Sequence, residues 1–171
     1  MSLLARLFSS RPDPREALRP LWHRTVELSR EPALYRDDGV ADTISGRFDM
    51  IAAILALVML RLEQDGLAQE NVWLTELFVA DMDGQLRETG VGDVVVGKHM
   101  GKLLSALGGR IGALREALAS RDDTLLGAAL ERNVTMAEGR ETASLARRLR
   151  AFAAKLAGLG GDEVLAGRIV L

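Results

Sequence analysis

Met50-Ile-Ala-Ala-Ile-Leu-Ala-Leu-Val-Met-Leu60 is apolar at all eleven positions, and the reading of this run decides the fold. A helix that is apolar on every side has no face to offer water, so other elements must surround it. Asp42 and Thr43 stand ahead of the run as capping residues, Arg47 and Asp49 mark its polar beginning, and Gly66 stops it. These signals set a helix over about 44–64. A membrane span needs about 20 apolar residues, so the run is a core helix and not a transmembrane one. Met50, Ile54, Leu57 and Val58 are therefore expected to be nearly inaccessible to solvent.

Helical signals extend outward on both sides. Pro12 and Pro14 close an N-terminal arm, residues 1–14, and helix begins near Arg15, with Pro20 kinking or restarting it. Leu34 to Gly39 reads as a turn. Downstream, Leu74, Leu77, Phe78, Met82 and Leu86 recur at three and four residues, a buried stripe on a helix over about 72–89. The valines 94–96 have no partner strand, so residues 90–97 read as an extended connection with Gly90 in a left-handed conformation. Met100, Leu103, Leu104, Leu107, Ile111 and Leu114 follow on a helix over about 98–119. Its glycines 101, 108, 109 and 112 each cost about 1 kcal/mol relative to alanine, and a close helix neighbour would offset that cost. Asp122 or Asp123 caps a short helix to about Arg132. A last helix, about 138–158, carries Leu145, Leu149, Phe152 and Leu156 on one face and Arg140, Arg147, Arg148 and Arg150 on the rest. The expectation is an all-α, single-domain bundle of about six helices over residues 15–171.

Little in the composition points to catalysis. The chain has no cysteine, which excludes disulfides, thiolate nucleophiles and cysteine-held zinc. Its two histidines, His23 and His99, lie on separate helices without a nucleophile elbow. Asp81 and Asp83 point about 200° apart on an ideal helix and cannot share one ion, and the Asp-Gly string lacks the other ligands of a calcium loop. Gly90 and Gly92 lack the third glycine of a dinucleotide site. A net charge of −2 and 4% aromatics argue against a nucleic-acid footprint. Acids crowd residues 70–93 and bases residues 98–121, either as helix faces that attract each other or as partner-facing patches. Residues alone thus describe a helical binding or scaffold protein without cofactor or metal.

Two stretches are more specific. One is Leu34-Tyr-Arg-Asp-Asp-Gly-Val-Ala-Asp-Thr-Ile-Ser-Gly-Arg-Phe-Asp-Met-Ile51. The other is Leu77-Phe-Val-Ala-Asp-Met-Asp-Gly-Gln-Leu-Arg-Glu-Thr-Gly-Val-Gly-Asp93. Over about 20–132 the chain resembles the ubiquinol–cytochrome c chaperone family, whose Gly-Arg-Phe-Asp-Met signature falls on residues 46–50. It departs from that pattern at Ile54, where a histidine is usual, at Leu107-Gly108, where an aromatic pair is usual, and at Gly97, where a proline is usual.

The resemblance implies an all-helical, non-enzymatic assembly factor for the ubiquinol–cytochrome c oxidoreductase (complex III), escorting cytochrome b. A second small assembly subunit or the ribosome is the implied partner. The short N-terminus implies a bacterial, cytoplasmic protein, peripheral on the inner membrane at most. An oligomeric helical scaffold is the alternative from another class. A client rich in membrane helices needs apolar surface with a polar rim, and the candidates are Tyr35, Val40, Asp42, Arg47, Asp81, Asp83, Arg87 and Asp93. Asp93 is expected to cap the next segment or to bond Arg47, and the acids, with Asp37 and Asp38, to form an acidic rim.

Overall fold

Helix α3, Ile44–Gln64, lies in the middle of the molecule, packed against four other helices. It belongs to a computed structural model that describes residues 13–88 and 93–171, and the side chains among them except those of 86–88 and 93–99. Met50, Ile54 and Val58 are 0% exposed and Leu57 is 2% exposed, as an all-round apolar helix requires. The Thr43 hydroxyl accepts from the Gly46 amide at 3.2 Å and caps the helix.

The chain enters through a 3-10 turn, Pro14–Leu18, then α1, Arg19–Ser29, and a one-turn α2, Pro32–Arg36. The expected turn over 34–39 is thus half helix, because Pro32 supplies a preset φ at the first helical position and not merely a stop. Only beyond Arg36 does the chain turn, with Gly39 at φ +82°. Helix α4 is Ala68–Glu88, α5 Asp93–Ala119, α6 Asp123–Asn133, α7 Ala143–Ala157 and α8 Gly161–Leu165. Helix α3 packs on α1, α4, α5 and α7, and α6 lies against α5 and α7. The described residues contain no strand, only an isolated antiparallel bridge between Val40 and Met136.

Two expectations about the α4–α5 region are corrected. The valines 94–96 are not in an extended connection: α5 starts at Asp93 and takes them in. Without a partner strand, an extended run leaves its backbone groups unpaired, whereas a helix pairs them locally. The glycines of α5 do not admit a close neighbour either: a Cβ at Gly101, Gly108, Gly109 or Gly112 would meet nothing within 4 Å. The conformation of Gly90 lies outside the described residues.

The glycine that does permit close approach is Gly46. A Cβ there would overlap the Ala41 carbonyl oxygen, would reach the Ala41 carbonyl carbon at 3.0 Å, and would crowd the Thr135 carbonyl at 3.4 Å. The first turn of α3 therefore passes directly beneath the 40–42 backbone, which the Ala41 amide ties to the Thr135 carbonyl at 2.9 Å.

Candidate functional site

Helices α1 and α4 meet along rows of residues spaced four apart, and the seam between them is open. Trp22 and Val26 of α1, continued by Arg30 at its C-terminal cap, form one row; Leu77, Asp81 and Gln85 form the row on α4. Trp22 is anchored edge-on against Phe78, ring centroids 6.1 Å apart and planes at 75°. The resulting groove holds about 920 Å³; its accessible apolar residues are Val26 and Pro32, the buried Trp22 and Leu77 lie beneath them, and charged residues stand at its lip. A second hollow of about 470 Å³ is lined by Tyr35, Arg36, Asp42 and Arg47, and it shares Arg30 and Pro32 with the first. The two adjoin at these residues, at the α1–α2 corner.

The structure gathers four of the sequence-derived residues here: Tyr35, Asp42 and Arg47 in the smaller hollow, Asp81 in the larger. Tyr35 donates its hydroxyl to the Ser29 carbonyl at 2.6 Å, and burial pushes its pKa up. Arg47 donates to Asp42 at 2.6 Å, a bond that holds the Asp42 carboxyl below its usual range. Asp81 accepts one long bond, 3.4 Å, from the Gln85 amide. Asp83 is not among the lining residues, in keeping with a helix that turns it about 200° from Asp81.

Val40 offers no binding surface. It is 1% exposed, because the bridge to Met136 presses that strand-like segment into the bundle. Asp38 likewise leaves the rim: it is 2% exposed and takes bonds from the Ser144 hydroxyl at 2.7 Å and from Arg148. The side chains of Arg87 and Asp93 lie outside the described residues, and so does the expected Asp93–Arg47 bond; the partner that Arg47 has is Asp42. The rim expected to be acidic is mixed, since Arg15, Arg19, Arg30, Arg36 and Arg47 alternate with Glu27, Glu31, Asp42 and Asp81.

Sequence reasoning missed the buried ion pair behind this face. Asp49 accepts from Arg110, from the Thr135 amide at 3.0 Å and from the Thr135 hydroxyl at 2.7 Å. Arg110 also donates to the Asn133 carbonyl at 3.0 and 2.8 Å, and its guanidinium lies 5.6 Å from the Phe48 ring centre. Burial pushes the Arg110 pKa down, and only in part does Asp49 oppose that. A signal was present: an acid immediately before an all-apolar run must find a partner within the fold.

An all-helical bundle with an open groove of apolar floor and mixed-charge rim defines an interaction protein. The model of the ubiquinol–cytochrome C chaperone family matches residues 36–171, and the chain belongs to that family. It is therefore an assembly chaperone whose client is a component of the ubiquinol–cytochrome c oxidoreductase. Among solved structures it resembles the Cbp3 homolog from Brucella abortus at 27% identity and a TM-score of 0.79, over 98% of this chain and 95% of that one. No curated protein matches its sequence significantly. Among the described residues no helix is long and apolar enough to cross a membrane.

Proposed function

We propose that the joined α1–α4 groove is the client-holding surface and that the client is cytochrome b, escorted without any chemical change to it. The observation that carries this reading is that the two hollows share Arg30 and Pro32, which sets the accessible apolar residues Val26, Pro32 and Tyr35 along one face with a polar rim. A newly made membrane subunit exposes apolar helices that water cannot solvate, and a surface of this construction covers them without becoming an aggregation site itself. The likeness to a Cbp3 homolog supports the assembly-chaperone part of this reading. The encounter is placed in the bacterial cytoplasm at the inner-membrane surface, with a second small assembly subunit or the ribosome as accompanying partner.

Val26 is half-buried at the middle of the floor, so Val26→Arg fills the groove without removing a core side chain. Affinity purification of the wild-type chain from its native cell should bring down cytochrome b, and the arginine variant should lose it at unchanged melting temperature. Recovery of cytochrome b on the arginine variant would move the site elsewhere. An eluate holding only further copies of the chain would instead support an oligomeric scaffold.

A further inference from the structure

Most charges around the groove are already neutralised by neighbours. Arg15 pairs with Asp13 and Glu76, Arg19 with Glu16, Glu27 with Arg24, Arg36 with Asp37 and Arg47 with Asp42. Three charged groups are left over. Arg30 and Glu31 have no side-chain hydrogen bond or ion pair among the described residues, and Asp81 has only the 3.4 Å bond from the neutral Gln85 amide. Glu31 and Asp81 belong to opposite walls, one between α1 and α2 and the other on α4, and both line the larger hollow.

We infer that the groove selects an apolar segment bearing a basic side chain at one end, with that cation seated between Glu31 and Asp81. The inference rests on the groove being the client-holding surface and adds the chemistry by which it chooses. An arginine or lysine stem lies along apolar surface while its head stays at the rim, and Val26 and Pro32 supply that surface. A carboxylate on either side then meets the charged head. Arg30, adjacent to Glu31 and equally unpaired, opposes a second cation, so a run of basic residues gains nothing over one. Segments with this pattern are the ends of membrane-spanning helices, where lysine and arginine border an apolar stretch.

The test uses the full chain and three synthetic helical peptides that share one apolar stretch and end in Lys, Gln or Glu. Binding is followed by fluorescence anisotropy of the labelled peptide. The Lys peptide should bind roughly two- to fivefold more tightly than the Gln peptide, the range for exposed charge pairs, and the Glu peptide more weakly than either. Glu31→Gln combined with Asp81→Asn should erase the Lys preference and leave the Gln peptide's affinity unchanged. Equal binding of Lys and Gln peptides, with both still blocked by Val26→Arg, would overturn the choice of a cation but leave the groove in place. Binding that Val26→Arg does not disturb would overturn the groove itself. Tightest binding of the Glu peptide would show that Arg30 sets the preference, which also overturns the proposal.

Discussion

Asp49 is where one residue carries the most. Its carboxylate joins three elements, taking bonds from Arg110 on α5 and from the backbone and side chain of Thr135 beyond α6. Removing one partner of a buried pair leaves the other charge desolvated, which costs about 3–5 kcal/mol. Asp49→Ala and Arg110→Ala should each lower unfolding free energy by that amount in urea titrations, and the double variant by clearly less than the sum. Additive losses would mean that the pair is not coupled. Gly46→Ala should be as damaging although it adds one methyl group, because the obstacle is the Ala41 backbone and not a movable side chain. Tyr35 offers a milder check, being the only tyrosine of the chain. Its folded pKa is raised, chiefly by burial, so its contribution to stability is complete below the unfolded value of about 10 and is lost as pH rises through the folded value. Phenolate absorbance should therefore appear at higher pH in the native protein than in urea; a coincident titration would contradict the burial. At this scale the sequence was only half legible. Asp42 and Asp38 look alike in a list of acids, yet one is exposed beside Arg47 and the other is enclosed by Ser144 and Arg148. What separates them is a partner more than a hundred positions away, which local pattern does not contain.

Helices α3 and α7 show what periodicity reads well, although α7 starts only at Ala143 and Arg140, expected on it, lies in the turn before it, where Gly139 has φ +71°. Leu145, Leu149 and Phe152 are 0% exposed and Leu156 is 1% exposed, on the face that their spacing marks. Leu57→Ala should accordingly cost about 2–5 kcal/mol, the range for truncating a buried leucine. Helix α5 shows what periodicity reads poorly. Leu107 and Leu114 are buried, but Leu104 of the same expected stripe is 40% exposed, so the helix is covered on a narrower face than its leucines suggest. Its glycines have no close neighbour; composition reports a glycine's cost and not who stands opposite. A prediction follows from the open space at Gly108 and Gly112. Each Gly→Ala change should stabilise the protein by about 0.5–1 kcal/mol through helix propensity alone. A drop in melting temperature for either would show that those positions need glycine after all. The valines 94–96 failed for a related reason: β-branched residues favour strands only where a sheet exists to receive them.

Over the whole molecule, charge is arranged differently from its order along the chain. The basic stretch after residue 98 was expected either to pair with the acidic stretch before it or to face a partner. Among the described residues two of its three arginines turn to α3, where Arg110 meets Asp49 and Arg115 meets Glu63 at 2.7 Å. Two arginines of α7 also pair internally, Arg148 on Asp38 and Arg150 on Asp123. Around the groove, internal pairing absorbs most of the charge and leaves Asp81, with Arg30 and Glu31, without an ionic partner; Asp81 is held only by a neutral amide. Asp81→Lys should therefore leave the melting temperature unchanged and reduce the amount of client recovered from the native cell. Glu131→Lys on α6 makes the same change in net charge at an exposed position away from the groove, and it should leave recovery intact. Raising salt should lower recovery by the wild-type chain toward that of the Asp81 variant, because charges on an exposed rim are screened over about 8–10 Å. The variant itself should respond less, having already lost the attraction that salt weakens. Equal losses from Asp81→Lys and Glu131→Lys would assign the effect to overall charge, and recovery indifferent to both would leave the apolar floor as the whole of the recognition.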